Sequence, residues 1–445
     1  MWTDSLGNPV TLQHAGSQAG VGDFVDGFIS SQARVGNILE TAAVDEAPLV
    51  QAYAAALHMF AEARSASASA RPFIERALAS PLTPTRRELG FVHAVKAWVD
   101  GDVLQSVNRL EQHVRDFPRD LVALKLAHYH LFNLGDSPGM LRVALAALAH
   151  AADVPYLHGM LAFAWEQCHL LEQAEAAARR AIAMERTEPW AHHALAHVML
   201  TQGRIHEGHR FLSEVSDSWV GLNSFMVTHN WWHQALFALE LERHAEALSL
   251  YDEQVWGVAK DYTQDQVNAV SLLARLELAG ADVGDRWQDL ADHLLQRTGD
   301  QVLPFLDMQY LYGLARAGRM QADQLLHNIE AHAAQAPPAL QHAWQRVCVP
   351  ACHGMLAHAR GDWQGAIDGL GEALPRLTEI GGSHAQRDLF SQLHIDALIR
   401  SGNLAGAQHL LQPQLRGQPE SLRLKRQAAG VYRGLGLGQI ADAIA

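Results

Sequence analysis

The chain has 445 residues, 49% of them hydrophobic and 18% charged, with a formal net charge of -14. That length can bury a large core, and the acidic balance leaves no basic surface for a phosphate backbone, so no nucleic-acid partner is expected. No run of about 18 apolar residues occurs, the opening MWTDSLGNPV has neither part of a secretory leader, and three cysteines are too few for a disulfide framework; this reads as a cytoplasmic chain with no membrane partner.

Alanine and leucine recur at helical spacing along nearly the whole chain, alternating β-branched runs are absent, and breakers such as DGD, LGD, QGR, AGR, RGD and SGN punctuate it. After an N-terminal arm over residues 1–20, these breakers align a helix, a glycine turn and a second, alanine-bearing helix. The unit appears in FVHAVKAWVDGDVLQSVNRLEQHVRDFP, in WAHHALAHVMLTQGRIHEGHRFL, in CVPACHGMLAHARGDWQGAIDGLGEAL and in LFSQLHIDALIRSGNLAGAQHLL. It is close to the tetratricopeptide pattern of about 34 residues, with Pro118 and Pro189 at repeat ends. SASASARP, AGADVGDRW and AQAPPAL read as loops inside one solenoid, neither long nor polar enough to be interdomain linkers. The expectation is all-α: one domain over 1–445, a right-handed α-solenoid of roughly eight helical pairs.

In such a hairpin the second, fifth, sixth, ninth and twelfth residues of the first helix face the concave groove, and the eighth and twentieth must be small. Aligned on Ala174, one repeat ends its groove face with Phe163, Glu166 and Gln167. In the repeat that turns at Gly203, Trp190, His193 and His197 fall at the second, fifth and ninth positions. Aligned on Ala247, THNWWHQALFALE places His229 second, Trp232 fifth and His233 sixth, with Trp231 turned toward neighbouring helices. Further on, Cys348 and Cys352 take the second and sixth positions and His358 the twelfth. GGSHAQRD reads as a helix entrance with Ser383 as N-cap and His384, Arg387 and Asp388 in its first turns. Partners three or four residues apart share a helical face, so His193/His197, His229/His233 and His384/Asp388 are candidate pairs. For any single histidine a satisfied core residue is the plainer reading, and for Cys348 and Cys352 a small buried hydrophobe.

PWAHHALAHVMLTQGRIHEGHRFL, HNWWHQALFALE, LYDEQV, DVGDRWQDLA and IGGSHAQRDLF resemble, in order, the signature segments of the tetratricopeptide repeat protein 38 family. The resemblance implies a repeat solenoid and no settled activity. It also leads one to expect an acid after His128, a glutamate after His197 and a histidine after Asp307, where this chain has Tyr129, Leu200 and Gln309.

Four histidines in adjacent repeats, with Glu166 on the same face, point to a ligand site. The favoured reading is a metal-independent acid–base enzyme. In it, His193, His197, His229, His233 and Glu166 act on a small molecule, Trp190, Trp232, Phe163, Cys352, His384 and Asp388 contact the substrate, and Arg387 holds its anionic group. No cofactor is expected; the alternative is a divalent transition metal on the four imidazoles, which suit zinc, copper, nickel or iron. A second alternative is a non-catalytic scaffold that takes a peptide or protein in the groove, and a homodimer is compatible with either. No P-loop, dinucleotide fingerprint, nucleophile elbow or zinc-protease motif occurs.

Overall fold

The structure, a computed structural model, describes residues 2–444. Among them the only strands are Trp2–Thr3 and Pro9–Val10, a short antiparallel ribbon. The rest of the regular structure is helical, and most consecutive helices are joined by short turns and packed on each other, which makes them antiparallel neighbours. The fold is an all-α solenoid of tetratricopeptide-like hairpins.

Local chemistry starts and stops these helices. Asp102, Asp120, Asp136 and Asp362 each accept a backbone N–H from the first turn of the helix that follows, satisfying donors that no helical carbonyl can reach. Gly203 turns the chain at φ +70°, a left-handed conformation that suits glycine.

The chain packs as two compact units, Met1–Leu195 with Ser218–Met226, and Ala196–Asp217 with Val227–Ala445. In the first, the N-terminal arm is fastened to a hairpin. Thr11 donates from its backbone N–H and its hydroxyl to Glu88, whose carboxylate also closes a capping box with Thr85, and Arg87 Nη2 donates to the Pro9 carbonyl. In the second, a continuous apolar core runs from Trp232 to Leu393.

The first helices of seven successive hairpins carry the candidate residues and their neighbours: α1 (Pro155–Gln167), α2 (Pro189–Thr201), α3 (Ser224–Glu240), α4 (Thr263–Leu278), α5 (Pro304–Arg316), α6 (Val349–Arg360) and α7 (His384–Arg400). The boundary between the units falls inside α2, after Leu195, and inside α3, after Met226, so His193 belongs to the first unit and His197, His229 and His233 belong to the second. The repeat register predicts small residues at Ala196 and Gly208. Ala196 is fully buried, and a Cβ on Gly208 would come within 2.2 Å of the Phe237 ring on α3. Glycine there lets the helix Ile205–Val215 approach α3 closely.

Candidate metal centre

His193 and His197 lie one turn apart on α2, and His229 and His233 one turn apart on α3. That spacing points both rings of a pair to one helical face. All four side chains are buried, none more than 2% exposed, and within the second unit one ligand atom from each of His197, His229 and His233 lies within 4.8 Å of the other two. The His233 ring sits edge-on to both His197 and His229, at centroid distances of 4.5 and 4.9 Å.

Behind His229 stands a chain of hydrogen bonds. Thr228 donates its hydroxyl to Asp265 Oδ1 at 2.9 Å, Asn268 Nδ2 donates to Thr228 Oγ1 at 3.3 Å, and Asn268 Oδ1 faces His229 Nδ1 at 3.0 Å. Because the amide nitrogen of Asn268 is committed to Thr228, its oxygen can only accept, so His229 carries its proton on Nδ1. The lone pair of that imidazole is therefore on Nε2. Burial pushes the His229 pKa down to about 3; the Asn268 hydrogen bond opposes this and the neighbouring His197 adds to it. His229 is accordingly neutral at pH 7, the form that binds metal.

Aromatic rings wall the cluster. Phe163 and Trp190 lie 4.9 and 5.1 Å from the His193 ring, and Trp232 lies parallel to His229 at 5.2 Å. Trp232 is fully buried, as is Glu166, which accepts from the Gln167 amide. Trp190 is only part-buried and donates its Nε1–H to Ser31 Oγ at 2.9 Å. The remaining candidates lie elsewhere. Cys352 on α6 is fully buried with its sulfur 3.9 Å from that of Cys348. At the start of α7, Ser383 and Gln386 form the capping box that the sequence suggests. Arg387 donates to the Gly381 and Gly382 carbonyls and lies 3.2 Å from His384 Nδ1, while Asp388 accepts from Gln392.

Sequence reasoning passed over α4. Asp265, Asn268, Ser271 and Arg275 are polar yet at most 3% exposed. Their spacing of three, three and four puts them along one stripe of the helix. A polar stripe on a buried face was the available signal, and it went unread because no single residue in it belongs to a known motif.

No family model matches the chain. Among solved structures the chain is similar to the human IFIT1 dimer with PPP-AAAA, at 12% identity and TM-score 0.44 over 95% of this chain and 93% of that one. It is also similar to Naa15/Naa10 bound to HypK-THB, at 12% identity and TM-score 0.25 over 97% of this chain and 68% of that one. At this level of likeness they bear on neither the site nor a partner.

Proposed function

We propose that this helical-repeat protein holds a divalent first-row transition metal ion on His197, His229 and His233 of its second unit, with the fourth position left for another ligand. The observation that carries the reading is the convergence of these three buried imidazoles within 4.8 Å. A tetrahedral ion with metal–nitrogen bonds of about 2.0–2.1 Å needs its nitrogens about 3.4 Å apart, a modest side-chain adjustment from that spacing. Two of the segments that resemble the tetratricopeptide repeat protein 38 family, PWAHHALAH and HNWWH, supply these three ligands.

Two further features support it. An all-imidazole set suits zinc, copper, nickel or iron over magnesium or calcium. The Asp265–Thr228–Asn268 chain orients His229 as outer partners orient the histidines of metal sites. The acid–base reading draws less support, because a histidine that stays neutral down to about pH 3 is poorly matched to proton transfer near neutrality.

The test is metal content. Protein stripped by a chelator, incubated with Zn(II) or Co(II) and desalted should retain one equivalent, and tetrahedral Co(II) gives an intense visible spectrum. The double variant His197→Ala/His233→Ala should retain none while keeping its helical circular dichroism. Failure of the wild type to retain either ion, or equal retention by the variant, sinks the proposal.

A further inference from the structure

Arg275 on α4 is 3% exposed. Its Nη1 donates to the Ser271 carbonyl and hydroxyl and its Nη2 to the Ala385 carbonyl. These acceptors take three of the five N–H donors of a guanidinium, which leaves Nε–H and the second Nη2–H, the two that form a fork for a carboxylate. Among the described residues no carboxylate lies at ion-pair distance. The nearest acids are committed elsewhere: Asp388 accepts from Gln392, and Glu240 is bound by Arg423 and Ser421. A buried charge without a paired opposite charge is costly.

A second observation points the same way. The guanidinium lies over the Trp232 ring, 5.4 Å from its centroid, and the Trp232 Nε1–H is buried with no hydrogen-bond acceptor among the described residues. Buried indole N–H groups ordinarily find one. Two sets of uncommitted donors thus stand at one ring, and what both lack is an anionic oxygen.

We infer that Arg275 and the indole N–H of Trp232 bind the carboxylate of a small molecule in the second unit. The fork of Arg275 takes both oxygens, and Trp232 supplies a further donor and a flat apolar surface. The site is independent of whether a metal occupies the histidines, although Trp232 also stacks on His229. A carboxylate bound there lies near the proposed metal.

Benzoate, with benzamide as its neutral counterpart, is the probe. In protein labelled with 15N-tryptophan, the Trp232 indole signal is identified by its loss in Trp232→Phe. Benzoate should move that signal saturably in chelator-treated and zinc-loaded protein alike, and benzamide should not. Arg275→Gln should weaken benzoate by about 10- to 100-fold, the scale of a charged hydrogen-bond pair. Arg275→Lys should recover only part of that, since an ammonium lacks the fork. If Arg275→Gln does not fold, Trp232→Phe, which keeps an aromatic ring, though a smaller one, and removes the N–H, should weaken benzoate several-fold by calorimetry. The inference is overturned if benzoate does not bind, if benzamide binds as well, or if the folded Arg275 or Trp232 variants bind benzoate unchanged. Binding that needs zinc and ignores Arg275 overturns it too, and leaves the metal reading standing.

Discussion

Two buried polar regions of this protein carry side chains of ligand type, and their chemistry diverges. One is the histidine cluster of α2 and α3. The other is the region of α5 and α6, where Cys348 and Cys352 lie with sulfurs 3.9 Å apart and Asp307 and Gln309 are fully buried. Thiolates and carboxylates are metal ligands at least as good as imidazole, so by residue type alone the second region is the richer one. Protonation separates them. Burial disfavours the charged form of any group, which for imidazole means losing the proton and for a thiol or carboxyl means keeping it. His229 is thereby held in the neutral form, whereas burial drives the Cys348 thiol well up and Asp307 up to about 8. The same low dielectric equips one region for metal and disarms the other.

The largest expected effect tests the disarmed side. Asp307 ionises near 3.8 in an unfolded chain and near 8 in the fold, so its folded form is favoured in full below pH 3.8 and loses that advantage as pH rises to about 8. The loss runs at roughly 1.4 kcal/mol per unit. Asp307→Asn cannot ionise, and its stability relative to wild type should climb across that window by a few kcal/mol and then level. Urea midpoints from pH 4 to 9 check this; parallel curves for the two proteins would show that the carboxyl is not held neutral.

Next in size is the metal increment. A ligand at one hundred times its Kd stabilises the fold by about 2.7 kcal/mol. Zinc at that excess should raise the wild-type urea midpoint accordingly, and His233→Ala should abolish the increment. An increment that survives in His233→Ala would remove that residue from the site. Below this comes the outer partner. Asn268→Leu deletes the acceptor that fixes the His229 tautomer and should weaken zinc about 10- to 100-fold, measured by competition with a fluorescent chelator, with the three histidines still in place.

How much of this was legible in the sequence follows from what fixes each feature. Helical period and glycine turns are local, so the hairpins of α2 and α3 and the histidines spaced one turn apart on each could be read from spacing. Other contacts were not local. Asn268 and Arg275 gain their meaning from α3 and α7, some 39 and 110 residues away, and no short motif encodes that meeting. The register equally offered Trp232 as a groove residue, where the structure buries it between His229 and Arg275; a position on a repeat face does not settle how far a large ring is covered.

The smallest effect sharpens the contrast most directly, because it alters a residue of ligand type that should not be a ligand. Cys352 is fully buried, free, and 3.9 Å from the Cys348 sulfur, too far for a bond. A thiol in an apolar core packs as a small hydrophobe, so Cys352→Ala removes about one methyl's worth of contact and should cost about 1 kcal/mol. Zinc content should stay at one equivalent per chain, because the ligand atoms that converge belong to histidines, with no cysteine among them. Metal analysis beside urea denaturation of the one variant gives both numbers. If Cys352→Ala lost the metal, the thiols would belong to the metal site, and the division between an armed and a disarmed region would fall.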